Sequence, residues 1–593
     1  MENKIKIYTD LKQKYLLLYK DINKKYNFVS TLRFSSIAII LCLIFFYFKT
    51  DNLNFIWTAI VIFFVFFLLV KWHDKISFKR KIYKTLKIIN QEEINYLENN
   101  ETPFENGIEY LPKNHDYAFD LDILGNKSLF HNLNRTASFI GKKTLAKNLL
   151  NIKLNNEILE NQESIKELTL KIDFRQKIYS LTRIKKDSEE IYQRLINWTS
   201  KKEINSFILK IISFVFPALF LFFFIMTFIN ENQFYSKIAS LLFMVNLMII
   251  GKYFKKIKKE IAGLSKINET IRNYSLIIEI IENEKFTSAK LIGLQKKLEY
   301  NSVKASVQIN NLSSIVKQIE SIHNPIGALF TNGFFLYHLH SYRTLVSWKN
   351  NFADQIPVWL NIIGEFEALN SFANFSFNNP SYCFPEINSE YKISFKELSH
   401  PLINKEIRVN NDVSFNENNF IILTGSNMSG KSTFLRSLGI NMVLAGVGAP
   451  ICSTKANVHP LKVLVSMRLS DSLEENESYF FAEVKRLKEI MTKLEKEKSF
   501  ILLDEILRGT NSDDKRLGTI EVIKKMISKK AIGAIATHDL EVCKTTDLYP
   551  EILVNKNFEV EIIDNDLFFD YKLREGVCKN KSASFLMKKM KVI

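Results

Sequence analysis

The segment Gly425-Ser-Asn-Met-Ser-Gly-Lys-Ser432 is preceded by the apolar run Phe420 to Leu423. Two glycines permit a tight turn with backbone N–H groups aimed inward, and a helix beginning there would offer its positive end to the same anion. The candidate ATP-binding set is therefore Gly425, Ser426, Asn427, Met428, Ser429, Gly430, Lys431, Ser432 and Thr433. Lys431 would reach the β and γ phosphates, and the Ser432 hydroxyl would bind Mg²⁺. A second apolar run, from Ser499 to Leu503, ends in Asp504 and Glu505, as a buried parallel strand would deliver carboxylates at its C-terminal edge. Asp504 would hold Mg²⁺ through water, and Glu505 would orient or deprotonate the attacking water. A third run, from Ala531 to Ala536, ends in Thr537 and His538, with His538 in position to sense the γ-phosphate. The turn-rich stretch Arg508 to Asp514 follows the acids and is a candidate to face a neighbouring subunit.

These runs imply an α/β P-loop ATPase domain with a mostly parallel central sheet. The rest of the chain must hold that domain somewhere. Of 593 residues, 48 are phenylalanine, and they concentrate in two strongly apolar regions, Phe34 to Phe48 with Leu53 to Val70, and Ile211 to Ile229 with Ile238 to Ile250. A bilayer span takes about 20 apolar residues. Buried helices of a soluble domain are the alternative, but a run such as Ile60 to Val70 has no polar face for water. Short polar links, Lys49 to Asn52 and Asn230 to Lys237, make two helical hairpins of four predicted transmembrane helices. Cations gather outside them: Lys4 to Arg33, Lys75 to Lys87, Lys201 and Lys202, and Lys252 to Lys259. By the positive-inside rule both termini and the ATPase lie in the cytoplasm, giving a multi-pass protein of the inner membrane. No cleavable leader is expected, because the first apolar run begins only after some thirty mostly polar residues. Pro217 is a candidate kink in the third span.

The net charge of +18 is shared between cations beside the spans, where anionic headgroups account for them, and others able to attract DNA phosphates. No basic groove interleaved with aromatic residues is visible. The five cysteines show no paired spacing and imply neither zinc nor a disulfide framework. From Ile257 to Ile280 an apolar stripe (Ile257, Ile261, Leu264, Ile267, Ile271, Tyr274, Ile278) reads as part of a packed lever arm, with Leu312, Ile315 and Ile319 on a later helix.

The chemistry-bearing segments resemble those of the MutS family of ATPases. Asn427-Met428 before Gly-Lys-Ser, the Arg508-Gly-Thr510 turn after the acids, and Ala536-Thr537-His538 all stand as in that family. Ser478-Tyr-Phe-Phe-Ala-Glu483 is similar to its trans-acting signature, although Glu477 stands where relatives usually have glycine. Upstream, Asn134-Arg-Thr136 with Gly141 and Leu145, then Asn161 to Leu168, is similar to the start of its helical core. Trp359 to Ala373, Pro380-Ser-Tyr382 and Ser399-His-Pro401 look like the join to the ATPase, and Tyr571-Lys-Leu573 with Gly576-Val577 like its closing strand.

The resemblance, over residues 120 to 593, implies an all-α core and lever domain, ATP with Mg²⁺, and a homodimer in which each Ser478 approaches the partner's γ-phosphate. It also implies DNA as a partner. Mismatch-reading members carry an N-terminal domain with a Phe-x-Glu wedge, which does not fit into the residues before 120; Phe415-Asn-Glu417 has the letters but sits in a loop before the phosphate loop. The chain stops at Ile593, so the relatives' helical dimerisation tail is expected to be largely missing.

The expected organisation is a basic segment 1–32, hairpin 33–71, a linker and first part of the core 72–205 (core from about 120), hairpin 206–252, lever and core 253–395, and ATPase 396–593. The second hairpin stands where an insertion is tolerated or replaces part of the clamp that caps the levers of DNA-clamping relatives. The expected function is a membrane-anchored ATPase switching a DNA-binding clamp in repair or DNA-structure recognition. The alternatives are a nucleotide-controlled membrane scaffold, or a transporter-like ATPase, for which the Leu-Ser-Gly-Gly-Gln signature and charged residues in the spans are absent.

Overall fold

The computed structural model describes residues 2–99, 102–153, 155–185, 187–200, 207–230, 232–264, 267–415, 420–468, 479–563 and 566–578. Its first two helices, Glu2–Thr50 and Leu53–Asn99, run far beyond the apolar stretches they contain. Tyr8, Tyr15, Ile22 and Val29 recur every seven residues and are at most 9% exposed. Ile22 and Val29 pack on Ile76 with Leu69 and Tyr83 beside it, and Tyr8 packs on Ile94 and Leu97. A seven-residue apolar repeat is the pattern that zips two helices together. Residues 2–32 and 72–99, expected as a basic segment and the start of a linker, are thus one antiparallel helical stalk continuous with the apolar tip, since nothing in either run breaks the helix. The tip is left bare: Phe34 and Phe48 are each 78% exposed.

The stalk is fastened to the helical core by a buried ion pair. Glu93, on the second stalk helix, accepts from Arg135 Nε (2.5 Å) and Nη2 (3.2 Å) and from the amides of Asn374 and Asn378 (3.0 Å each). Tyr8 adds a 2.8 Å bond to Asn378. The Asn134-Arg-Thr136 segment is rigid because Asn134 Oδ1 accepts both from the backbone and from the hydroxyl of Thr136, at 2.9 and 2.7 Å. Around it, helices Phe139–Leu150, Asn155–Leu170 and Ile172–Ile184 surround helix Ile356–Asn378, whose Trp359, Phe366 and Phe372 are buried.

Among the described residues, four helices are long and apolar enough to cross a membrane: the two above, Phe207–Ile229 and Gln233–Ala262. The first two bury only 6% of their most apolar window. Helix Phe207–Ile229 continues through Pro217. Helix Gln233–Ala262 runs out of its apolar part straight into the lever, and Asn268–Asn283 follows, packed on Ala305–Glu320. All seven residues of the expected stripe are buried, as are Leu312, Ile315 and Ile319. The stripe is shared by two helices, parted after Ala262.

The C-terminal domain holds a six-stranded sheet in the order Leu573–Glu575, Leu553–Phe558, Phe420–Gly425, Ile532–Ala536, Ser499–Asp504, Lys462–Ser466. Four of its five pairings are parallel, and only the closing strand Leu573–Glu575 is antiparallel. The three apolar runs form neighbouring strands because each is buried on both faces, as a covered parallel sheet requires. A second, four-stranded sheet begins at Glu386–Ile387 and includes Ile393–Leu398 and Asn411–Phe415, so the domain starts about ten residues before the expected boundary of 396. Phe415 ends that last strand; Asn416 and Glu417 lie outside the described residues.

Candidate functional site

Parallel strands end on the same side of a sheet, and this carries Gly425, Asp504 and Ala536 to one edge. The registers pair Ala536 with Leu423 on one side and with Asp504 on the other. The loop after Gly425 turns at Met428 (φ 68°) and at Gly430 (φ 105°), which caps helix Lys431–Gly446. A Cβ on Gly430 would sit 3.0 Å from the Tyr571 ring in a conformation that L side chains rarely adopt.

Lys431 is 5% exposed, and its Nζ donates to the carbonyls of Gly425 (2.8 Å) and Ser426 (3.0 Å). Burial lowers its pKa, while Glu505 and Asp504 hold it up. Ser432 Oγ donates to Asp504 Oδ2 at 2.5 Å. Asp504 Oδ1, Ser426 Oγ and Ser429 Oγ are buried without a protein partner among the described residues. A carboxylate oxygen and a hydroxyl held side by side, with a second carboxylate oxygen free, are hard oxygen donors that fit Mg²⁺ retaining most of its water.

Glu505 sits at φ 49°, and its Oε1 lies 2.7 Å from His538 Nε2. An Nε2–H donating to Glu505 leaves no lone pair for Lys431 Nζ, 3.4 Å away, so that approach is proximity and not a bond. The hydrogen bond from His538 holds the Glu505 carboxyl down at about 2 against the opposing effect of burial, helped by the charges of His538, Arg508 and Lys431. A folded pKa below the usual 4.5 means that the pair's contribution to stability is complete above pH 4.5 and is lost as pH falls through about 2. An infrared titration, taken as the difference from Glu505→Gln, is expected to show this carboxylate protonating near pH 2; protonation near 4.5 would mean that the His538 contact does not form.

The acids are braced from behind. Arg508 folds back, its Nε donating to the Glu505 carbonyl at 2.9 Å and its Nη2 to the Asp504 carbonyl at 3.2 Å. Its backbone N–H is received by Glu483 at 2.8 Å, and burial raises the pKa of that glutamate. Glu483 lies on helix Tyr479–Leu494, so the signature segment is tied to the Arg508 turn. Ser478 itself lies outside the described residues.

The loop opens into a cavity of about 430 Å³, lined by Ser426 to Phe434 and Glu505 and, on the other side, by His400, Ile403, Ile407, Arg408, Phe558 and Tyr571. That size and its mixed apolar and polar walls suit a small organic ligand. Sequence reading assigned the phosphate end and missed the far wall. Those residues come from three distant segments, and of them only His400 and Tyr571 stood in segments already singled out. Burial lowers the His400 pKa to about 4, with Arg436 adding to the effect, so its ring is neutral near pH 7.

Residues 421–591 match the family model of MutS domain V. MutS protein homolog 4 of Homo sapiens is 32% identical over 201 residues, 32% of this chain and 21% of that protein. The DNA mismatch repair protein MutS of Petrotoga mobilis is 26% identical over 353 residues, 55% of this chain and 42% of that protein. The C-terminal part of the chain is thus similar to MutS domain V, and the chain resembles MutS-family proteins over a third to a half of its length. A further MutS relative, from Clostridium perfringens, is 31% identical over 238 residues, 38% of this chain and 26% of its own length. The matched part thus spans less than half of each of these relatives, and it carries the MutS phosphate loop, acids and histidine described above.

Proposed function

We propose that this MutS-like chain is a membrane-anchored ATPase that uses ATP and Mg²⁺ to switch a dimeric, DNA-binding assembly of helical levers. One observation carries the enzymatic part: Lys431, Ser432 and Glu505 line one cavity, with Asp504 bonded to Ser432 and His538 to Glu505 behind them, all from three neighbouring strand ends. Lys431 neutralises charge on the terminal phosphates, and the turn Ser426 to Gly430 presents its backbone N–H groups to them. Asp504 and Ser432 would hold Mg²⁺, whose chemistry there is to offset charge on the phosphate oxygens. Glu505, ionised at every physiological pH, accepts the proton of the attacking water, and His538 keeps it aimed. The far wall, with Tyr571, Phe558 and His400, offers flat and apolar surface for a base.

Membrane attachment is supported by four long apolar helices whose surfaces face outward. The first hairpin continues as unbroken helix into the stalk, and helix Gln233–Ala262 carries the second into the lever. In this reading two ATPase domains pair, each Ser478 nears the partner's γ-phosphate, ATP closes the dimer and hydrolysis reopens it. DNA enters the proposal through the names of the relatives, which are DNA mismatch repair proteins. A second reading, in which nucleotide state controls a membrane scaffold, is favoured by the lever helix Gln233–Ala262 being itself the continuation of an apolar span.

The detergent-purified chain should hydrolyse ATP, and Lys431→Ala should abolish tight binding and turnover. Rates measured with and without linear, mismatched and branched duplexes at two salt concentrations separate the readings. Salt-sensitive stimulation by DNA supports the first; turnover indifferent to DNA of every shape supports the second. Unchanged turnover in Lys431→Ala would refute the site.

A further inference from the structure

Beyond the four spans, helix Pro325–Phe335 packs on both members of the second hairpin. Phe334 lies 5.0 Å from Phe220, 5.6 Å from Phe224 and 5.8 Å from Phe243, centroid to centroid. Asn246, wholly buried, donates its amide to the Gly333 carbonyl at 2.8 Å. Gly333 is required for that approach, because a Cβ there would lie 2.1 Å from the Phe243 ring. Small residues and a buried amide are what bring helices together where no water drives the contact.

Depth follows from the span itself. The cations Lys252 to Lys259 mark the end of the apolar part of helix Gln233–Ala262. Asn246 lies six residues inward of Lys252 and Phe243 nine, about 9 and 14 Å at ~1.5 Å per residue. Half of the hydrocarbon layer is about 15 Å. The outward face of Pro325–Phe335 is apolar and uncovered: Ile326 is 71% exposed, Phe330 54%, Phe335 50% and Leu329 46%. Residues 321–342 contain no Asp, Glu, Lys or Arg. Leu336, at φ 47°, then turns the chain sharply into helix Tyr337–Phe352, where Arg343 reaches Ser213 at 2.7 Å and Lys349 reaches Glu260 at 2.7 Å on the way back out.

We propose that Pro325–Phe335 is a fifth membrane element, a short helix seated among the acyl chains of the cytoplasmic leaflet without crossing it. The proposal rests on the reading of the two hairpins as membrane spans, with which its apolar face is continuous. Eleven residues reach only about 16 Å, too short to span but enough to enter one leaflet. Because lever helix Ala305–Glu320 leads into it and Tyr337–Phe352 leads out and packs on that lever, the lever's far end is held at a fixed depth in the lipid.

The test is spin labelling of the full chain in vesicles of phosphatidylethanolamine and phosphatidylglycerol, with Cys42 and Cys383 replaced by serine and ATP binding retained as the check of folding. Single cysteines are introduced as Leu329→Cys, as Leu219→Cys on a span and as Val307→Cys on the lever. The label at 329 is expected to match the one at 219, relaxed by oxygen several times more effectively than by a water-soluble nickel chelate, with 307 showing the reverse. If 219 is lipid-exposed and 329 behaves like 307, the leaflet helix is refuted while the spans stand. If 219 also behaves like 307, the spans fail and this inference fails with them.

Discussion

Glu505→Gln is expected to lower the single-turnover rate of ATP hydrolysis by roughly 10²–10⁴, the range that a positioned general base contributes, while nucleotide binding persists. Glutamine keeps the shape and can still accept from His538, so the 2.7 Å contact and the backbone brace from Arg508 survive. It cannot take a proton. The residues proposed to hold the phosphates, Lys431 and the turn Ser426 to Gly430, line the same cavity and are not touched by the change. Binding of a fluorescent ATP analogue measured beside turnover checks both halves. Turnover within an order of magnitude of the parent would remove Glu505 from the role of base, and loss of binding would place it in substrate recognition instead.

Glu93→Ala should cost stability on a comparable scale, about 3–5 kcal/mol, because it leaves a buried cation without its counter-charge. Arg135 is 5% exposed and lies 3.5 Å over the Phe104 ring, where water cannot replace the lost carboxylate. Asn374 and Asn378 lose an acceptor in the same step, so the stalk loosens from helix Ile356–Asn378. The first transition in urea, followed in detergent, should move to lower concentration, and protease should cut sooner near residue 102. The double variant Glu93→Leu with Arg135→Leu should recover much of the loss, since apolar replacement of a buried pair is often nearly neutral. A single variant as resistant as the parent would show that the stalk is held by its heptad seam alone.

These two sites were legible in the sequence to different degrees, for a physical reason. A phosphate loop is a local object: its glycines, lysine and serine must be contiguous because one turn of backbone makes the cradle, and each apolar strand carries its acid or histidine at its own end. The stalk was legible in principle, since Tyr8, Tyr15, Ile22 and Val29 keep a strict seven-residue interval, but polar and basic residues between them masked the repeat. Glu93 gave no signal, because a carboxylate becomes a structural anchor only when Arg135 is folded against it. Helix Pro325–Phe335 escaped for want of length: eleven residues with Thr331 and Asn332 among them do not read as a span.

By itself the sequence located the phosphate loop with its acids and histidine, the mostly parallel apolar strands and the two greasy hairpins, because each depends on residues adjacent in the chain or on unbroken hydropathy. Tertiary structure alone decided the far cavity wall of His400, Arg408, Phe558 and Tyr571, the Glu93 clamp and the bracing of the Arg508 turn by Glu483. Those features join residues tens to hundreds of positions apart, and such contacts exist only once the sheet, the core and the stalk have packed.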